Sequence, residues 1–87
     1  MTLTRQLARE FGKYNITCNA VAPSFVDTLL LNDLNLEAKK EEIASLNVIK
    51  RLGSVDDVSN AVLFLASDAS SFITGETINV NGGRLMD

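Results

Sequence analysis

Residues 19–28, Asn-Ala-Val-Ala-Pro-Ser-Phe-Val-Asp-Thr, constrain the fold of this chain more than any other stretch. The apolar residues in and before it predict the end of a buried strand covered on both faces; they are Ile16, Cys18, Ala20 and Val21. Pro23 is expected to end this strand, because proline has no N–H to donate and holds the preceding residue in an extended conformation. Ligands of open α/β sheets bind just beyond the carboxyl ends of strands, so residues 23–28 are the first candidate site.

Length, charge and composition exclude several classes of protein. The 87 residues make one domain at most, and eight basic against eleven acidic residues give a net charge of −3. This balance lacks the basic surface of a nucleic-acid binder and provides no electrostatic attraction to an anionic membrane. With the single Cys18 and no histidine, an internal disulfide is impossible and a zinc site is not expected.

Targeting segments are not expected either. Arg5, Arg9 and Glu10 interrupt any apolar run near the N-terminus, which argues against a signal peptide. The longest apolar run, residues 61–66, is far shorter than the ~20 residues that span a bilayer. We therefore expect a cytoplasmic protein.

The first predicted helix covers residues 2–12. Leu3, Leu7 and Phe11 recur at a spacing of four residues with Ala8 beside them, which is typical of one buried helix face. Gly12 is expected to end the helix, since glycine adopts the left-handed conformation at little cost.

A second helix is predicted from residue 36 to about residue 46, with its apolar side formed by Leu36, Ile43 and Leu46. The charged run 37–42 is expected to face solvent, and Lys39 can pair with Glu42 three residues later. The leucines of this region either line an apolar substrate pocket or face the core, and the sequence favours the core.

The third predicted helix follows Gly53 and Ser54. Ser54 is a good N-cap, and Asp57 three residues later completes a capping box. One wide apolar face is expected, formed by Val58, Ala61, Val62, Leu65 and Ala66. Leu63 and Phe64 fall outside that face, and a helix that is apolar on two sides usually has two neighbours. One neighbour is expected to be the sheet and the other a second subunit.

A second strand is predicted at about residues 77–80, followed by Asn81-Gly82-Gly83, which suits a turn with positive φ. Because the two strands are joined through helices, they are expected to pair in parallel through a right-handed crossover. Parallel sheets need both faces covered and neighbours at their edges. The chain alone is therefore expected to expose an apolar edge and to be poorly stable or prone to aggregate.

Several of these motifs occur in a characteristic order. Asn-Ala-Val-Ala-Pro at residues 19–23 is followed by Thr28; Arg51-Leu52-Gly53 precedes a helix, and residues 73–83 read Ile-Thr-Gly-Glu-Thr-Ile-Asn-Val-Asn-Gly-Gly. Together they resemble the cofactor loop and the last strand of the short-chain dehydrogenase/reductase family, in its classical branch of 3-oxoacyl-(acyl carrier protein) reductases. The resemblance covers nearly the whole chain and concerns the C-terminal part of that family only.

The resemblance implies an α/β fold: the C-terminal part of a Rossmann-like, doubly wound parallel sheet, with two parallel strands and about four helices. Residues 1–87 are then a single partial domain. The family's Gly-rich cofactor motif and its catalytic Ser, Tyr and Lys have no counterpart here, since Tyr14 is the only tyrosine and Cys18 stands where the lysine would follow. No catalytic residue is assigned, and the chain alone is not expected to catalyse a reaction.

For the cofactor, the resemblance implies NAD or NADP in the intact family, without implying that this chain binds it alone. The backbone at Pro23, Ser24 and Val26 would line the nicotinamide side, with Val26 pairing with the carboxamide. The Thr28 hydroxyl would reach the carboxamide or the pyrophosphate, and Ser24 stands where the family usually has glycine. The alternative is a purely structural turn in which Asp27 or Thr28 caps a helix.

The function implied is that of the C-terminal fragment of an NAD(P)-dependent oxidoreductase, in a family that transfers a hydride between nicotinamide and a carbonyl or alcohol. The alternative is a non-catalytic dimerisation or interaction module derived from that family. Family members commonly dimerise through the corresponding helix and last strand, so residues 55–83 are expected to bind a second copy or an intact relative.

Overall fold

The computed structural model describes residues 2–24, 26–27 and 37–85. Its elements, in chain order, are α1 (Thr2–Phe11), β1 (Ala20–Pro23), α2 (Glu37–Ser45), α3 (Val55–Leu65) and β2 (Thr77–Val80), with short 3-10 helices at Gly12–Tyr14 and Asp68–Ser70. The described residues thus form the α/β arrangement that the sequence predicts. None of the helices in this part of the chain is long and apolar enough to cross a membrane.

The two strands are parallel neighbours, as predicted. Ala20 lies opposite Thr77 and Pro23 lies opposite Val80. The Ala20 N–H donates to the Glu76 carbonyl at 2.9 Å, which fixes this register at the start of β1. Both strands therefore end at the same edge of the sheet, where the candidate site was expected.

The strand β1 is shorter and less buried than predicted. Its ladder begins at Ala20, and the preceding chain is held by other bonds: the Cys18 N–H donates to Thr74 Oγ1 at 3.0 Å, and the Gly75 N–H donates to the Cys18 carbonyl at 2.8 Å. Ile16 is exposed and residues 17–22 are half-buried. The expectation of a strand covered on both faces was wrong for the described part of this chain, because α3 is the only helix there that contacts the two strands extensively.

Helix α1 buries only part of the predicted face: Ala8 is buried and Leu7 is half-buried. Its buried residues are Thr4 and Ala8, whereas Leu3 is 63% exposed and Phe11 is also exposed. An added Cβ at Gly75 would lie 3.6 Å from the Ala8 Cβ, so the helix approaches the backbone before β2 closely. Small side chains permit that approach, whereas Leu3 and Phe11 lie on the solvent-exposed side of the helix.

The end of α1 also differs from the prediction. Gly12 does not act as a left-handed stop, because the chain continues through Gly12–Tyr14 as a 3-10 helix. Asn15 takes the left-handed conformation instead, with φ 60° and ψ 32°, and its N–H donates to the Gly12 carbonyl. Asparagine tolerates this conformation better than other side chains that carry a Cβ.

Helix α2 matches the predicted bounds closely, but its charged run is not wholly solvated. Lys39 pairs with Glu42 at 3.5 Å on the exposed side, as predicted. Lys40, in contrast, is only 8% exposed, which corrects the expected solvent-facing run. Leu46 is exposed rather than in the core, and the predicted contribution of Leu36 falls outside the described residues.

Helix α3 begins with the predicted capping box. The Asp57 N–H donates to Ser54 Oγ at 3.1 Å, and the Ser54 N–H donates to Asp57 Oδ2 at 2.7 Å. The helix contacts both strands. Leu63 remains 66% exposed and Phe64 is also exposed, so the second apolar side lies uncovered in this chain.

Candidate functional site

The carboxyl ends of the two strands border a cleft of about 210 Å³. The Ser24 N–H donates to the Val80 carbonyl at 3.3 Å, which extends the pairing one step beyond β1. The cleft is lined by Ala22, Pro23, Ser24, Asn79, Asn81, Arg84 and Leu85. Two of the residues predicted for the cofactor site, Pro23 and Ser24, therefore lie at the expected edge of the sheet.

The turn after β2 forms one wall of this region. Gly82 and Gly83 have φ values of 61° and 85°, as the sequence predicts for a turn that favours glycine. The Ile49 N–H donates to the Gly82 carbonyl at 2.8 Å, and an added Cβ at Gly83 would lie 2.8 Å from the Val48 Cβ. The turn consequently packs directly against the chain between α2 and α3.

The loop after β1 is fixed by a second parallel pairing, between Val26 and Gly53. The Asp27 N–H donates to the Gly53 carbonyl at 2.8 Å. Since N–H and C=O groups alternate in direction along an extended segment, those of Val26 point away from Gly53. In the part of the chain that the structure describes, no group forms a hydrogen bond with either of them. Within the described residues, the Val26 N–H donor and C=O acceptor are therefore both without a hydrogen-bond partner.

An ion pair connects this loop to α2. Lys40 Nζ lies 3.0 Å from Asp27 Oδ1, with the lysine side chain nearly buried and the aspartate side chain half-exposed. A buried ammonium group is costly unless it is paired, so Asp27 accounts for the burial of Lys40. The sequence analysis missed Lys40 as part of this region, because a lysine within a charged run carries no local signal of burial.

A further network holds the loop before α3. Asn47 is only 5% exposed, and its Nδ2 donates to the Arg51 carbonyl at 2.8 Å. The Arg51 guanidinium in turn donates to both carboxylate oxygens of Asp57, at 2.7 and 3.3 Å. These hydrogen bonds from Arg51, together with those from Ser54, hold the pKa of Asp57 well below its usual range, and the bond to Asp57 raises the pKa of Arg51.

The structure thus describes three of the four predicted site residues and places them close together in the chain. Pro23, Ser24 and Val26 follow one another along the loop at the carboxyl edge of the sheet, while Thr28 lies outside the described residues. The alternative, in which Asp27 or Thr28 caps a helix, involves residues that lie outside the described part of the chain. Within that part, the Asp27 carboxylate pairs with Lys40 and the Asp27 N–H donates to Gly53. Asn47 was also missed, because an isolated asparagine between two helices is indistinguishable from a loop residue in sequence.

A family model described as enoyl-(acyl carrier protein) reductase matches residues 1–84. A 3-oxoacyl-(acyl-carrier-protein) reductase of Pseudomonas aeruginosa is 46% identical over 83 residues, which are 95% of this chain and 33% of that relative. Nodulation protein G of Rhizobium meliloti is 42% identical over 83 residues, again 95% of this chain and 34% of the relative. The chain therefore spans about a third of the length of these relatives.

Solved structures show the same likeness. A 3-oxoacyl-(acyl-carrier protein) reductase of Brucella melitensis superposes with a TM-score of 0.89 at 37% identity, covering 99% of this chain and 32% of that one. A short-chain dehydrogenase/reductase of the same organism, described as a glucose/ribitol dehydrogenase, gives a TM-score of 0.87 at 37% identity, with 99% and 34% covered. With the family model matching nearly its whole length, this chain belongs to the short-chain dehydrogenase/reductase family, among its members similar to 3-oxoacyl-(acyl carrier protein) reductases.

Proposed function

We propose that this chain forms the nicotinamide-proximal, C-terminal part of an NAD(P)-dependent oxidoreductase acting on a carbonyl or alcohol. The support comes from family membership and from relatives that are named 3-oxoacyl-(acyl-carrier-protein) reductases. This chain spans about a third of the length of those relatives. When bound, the dinucleotide supplies the hydride that such a reaction needs. The residues of this chain bind and orient it, and we assign no catalytic residue among them.

The observation that carries the proposal is that the N–H and C=O groups of Val26 itself have no hydrogen-bond partner among the described residues. A nicotinamide carboxamide has two N–H donors and one carbonyl acceptor. The Val26 C=O and N–H point away from Gly53, and within the described residues neither has a hydrogen-bond partner. One extended residue therefore fits both halves of a carboxamide, and so the residues present fit this cofactor.

Pro23 and Ser24 provide a conformationally restricted stretch of backbone close to Val26 in the chain. The Pro23 ring fixes its own φ, and the Ser24 N–H is engaged with Val80 at 3.3 Å, so this backbone has little freedom. The Ser24 hydroxyl has no hydrogen-bond partner among the described residues and lies at the cleft. It is available to a ligand, while its Cβ narrows the approach of a ring relative to glycine. Thr28 completes the proposed set of cofactor-binding residues from beyond the described loop.

The test is nuclear magnetic resonance on the 15N-labelled chain with added NADPH and, separately, NADH. Carboxamide binding shifts the amide resonance of Val26 and those of its neighbours Ser24 and Asp27. Adenosine diphosphate ribose, which lacks the nicotinamide, is the matched control ligand and leaves the Val26 resonance in place. A folded chain whose Val26 amide does not respond to millimolar NADPH or NADH contradicts the proposal. Reduction of a carbonyl substrate by this chain alone would contradict our expectation that it lacks catalytic residues.

A second candidate function, dimerisation or binding to an intact relative, is favoured by the uncovered side of α3. Leu63, Phe64 and Phe72 are all exposed, and Phe72 completely so. We propose that residues 55–83 bind a second copy of this chain through these side chains. Sedimentation of the chain, compared with a variant carrying Leu63→Ser and Phe64→Ser, tests this. Dimerisation that the double variant abolishes supports it, and a monodisperse wild-type monomer that captures no full-length reductase contradicts it.

A cytoplasmic location is likewise a proposal, checked by fractionation of the source cells.

A further inference from the structure

Two side chains from residues 37–50 contact the two segments that form the Val26–Gly53 pairing, one on each segment. On one side, Lys40 reaches Asp27, the residue whose N–H donates to the Gly53 carbonyl. On the other side, Asn47 holds the Arg51 carbonyl, two residues before Gly53. The pairing orients the N–H and C=O groups of Val26. It is therefore supported by two residues, Lys40 and Asn47, that lie outside both paired segments.

The brace from Lys40 is a nearly buried ion pair. The lysine side chain is only 10% exposed, and its Nζ lies 3.0 Å from Asp27 Oδ1. An ion pair in this environment is screened less by water than an exposed pair. Loss of Asp27 would leave the nearly buried Lys40 ammonium without this counter-charge, whereas loss of Lys40 leaves a half-exposed carboxylate that is no longer held to α2 by the ion pair. Truncation on either side therefore weakens the attachment of Asp27 to α2.

The brace from Asn47 is neutral and tightly enclosed. Its Nδ2 donates to the Arg51 carbonyl at 2.8 Å, and an added Cβ at Gly82 would lie 3.5 Å from the same nitrogen. The Asn47 side chain thus lies beside the turn after β2, and the residue is almost completely buried. A buried amide with a single well-formed bond is a specific support for the backbone that accepts it.

We propose that Lys40 and Asn47 are positioning residues for Val26: they keep Val26 paired with Gly53 and thereby fix the direction of its N–H and C=O. The bracing itself stands on the contacts described above. Its consequence for cofactor binding rests on the proposed function.

The experiment is amide hydrogen exchange, read by nuclear magnetic resonance, on the chain and on Lys40→Gln. The Asp27 amide reports the pairing, since it donates to Gly53, and the Gly75 amide, which donates to Cys18 at the other end of the sheet, is the internal reference. We expect Lys40→Gln to speed exchange at Asp27 about five- to tenfold and to leave Gly75 within about twofold of its original rate. Lys39→Gln is the matched control, because Lys39 is exposed and pairs only with Glu42 among the described contacts.

Two further variants complete the test. Asn47→Ala is expected to speed exchange at Asp27 about as much as Lys40→Gln, because it releases the other side of the pairing. Exchanging the charges, with Asp27→Lys and Lys40→Asp together, is expected to restore most of the slow exchange. A role confined to general stability would not be rescued selectively at Asp27.

Each contrary result overturns the proposal. It is wrong if Lys40→Gln leaves Asp27 unchanged, if Gly75 accelerates equally, or if the Asp27 amide is unprotected in the unaltered chain. The proposed function fails separately, when NADPH does not shift the Val26 resonance although Asp27 exchange responds to Lys40→Gln as expected. If both hold, Lys40→Gln also reduces the NADPH-induced shift at Val26, and Lys39→Gln does not.

Discussion

Arg51 and Asp57 form a bidentate pair in which the guanidinium donates at 2.7 Å to one carboxylate oxygen and at 3.3 Å to the other. The same carboxylate accepts the Ser54 N–H at 2.7 Å, so one side chain closes the capping box and fastens the preceding loop. Because the Gly53 carbonyl accepts the Asp27 N–H, the start of α3 and the loop after β1 are mechanically connected.

The pair predicts a specific pH dependence of stability. The pKa of Asp57 is lowered in the folded chain, chiefly by its hydrogen bonds from Arg51 and then from Ser54. The folded state then binds fewer protons than the unfolded state, so the stabilisation is fully present above the unfolded-state pKa of about 3.9. It is lost progressively as the pH falls below that value towards the folded-state pKa.

Urea unfolding followed by circular dichroism checks this between pH 7 and pH 2. The stability difference between the chain and Asp57→Asn is expected to be constant from pH 7 to about pH 5 and to shrink below about pH 4. Asp56→Asn is the control, since Asp56 is exposed in the same helical turn. A difference that grows on acidification contradicts the assignment.

Gly83→Ala is expected to destabilise the chain by about 2 kcal/mol or more, because an L-residue at positive φ is strained and its Cβ would overlap a neighbour. The overlap is with Val48, at 2.8 Å from Cβ to Cβ. Gly12→Ala is the control: an added Cβ there meets nothing within 4 Å, and the substitution should be neutral or stabilise by about 0.5 kcal/mol. Urea midpoints of the two variants measure the contrast, and equal effects would refute it.

Substitution by valine is expected to change the stability differently at two threonines, Thr77 and Thr74. Thr77 Oγ1 is buried and has no hydrogen-bond partner among the described residues, so Thr77→Val should be neutral or stabilise by up to about 1 kcal/mol. Thr74 Oγ1 accepts the Cys18 N–H at 3.0 Å, so Thr74→Val should destabilise by about 1 kcal/mol. Thermal unfolding of both variants gives the comparison. A greater loss with Thr77→Val than with Thr74→Val would show that the Thr77 hydroxyl is bonded in solution.

Asn15 provides a test of the left-handed end of the first helical region. Its φ of 60° suits glycine best, so Asn15→Gly should be neutral or slightly stabilising. Asn15→Ala keeps the Cβ and loses the local tolerance of asparagine, and should cost about 1 kcal/mol. Chemical denaturation of the two variants measures the difference in stability. An alanine variant as stable as the glycine variant would contradict the left-handed conformation of Asn15.

Local chemistry allowed much of the fold to be predicted. Ser54 and Asp57 define a capping box through bonds within one helical turn, and both bonds are present. Thr-Ile-Asn-Val at residues 77–80 and the Asn-Gly-Gly after it likewise predict a strand and a positive-φ turn from neighbouring residues alone. The order of the motifs placed Pro23 and Ser24 at the carboxyl edge of a parallel sheet, because parallel strands end on the same side.

The tertiary structure decided which surfaces are covered and which distant groups meet. Ala8 packs inward because the backbone at Gly75 approaches closely, and no helical periodicity within α1 encodes that neighbour. Lys40 is buried because Asp27, thirteen positions earlier, supplies the compensating charge. The sequence alone therefore determined the elements, their parallel pairing and the edge of the sheet at which Pro23 and Ser24 lie, since these depend on local bonding and chain direction. Burial and the aim of the Val26 backbone depend on contacts between segments far apart in the chain, and only the folded structure brings those together.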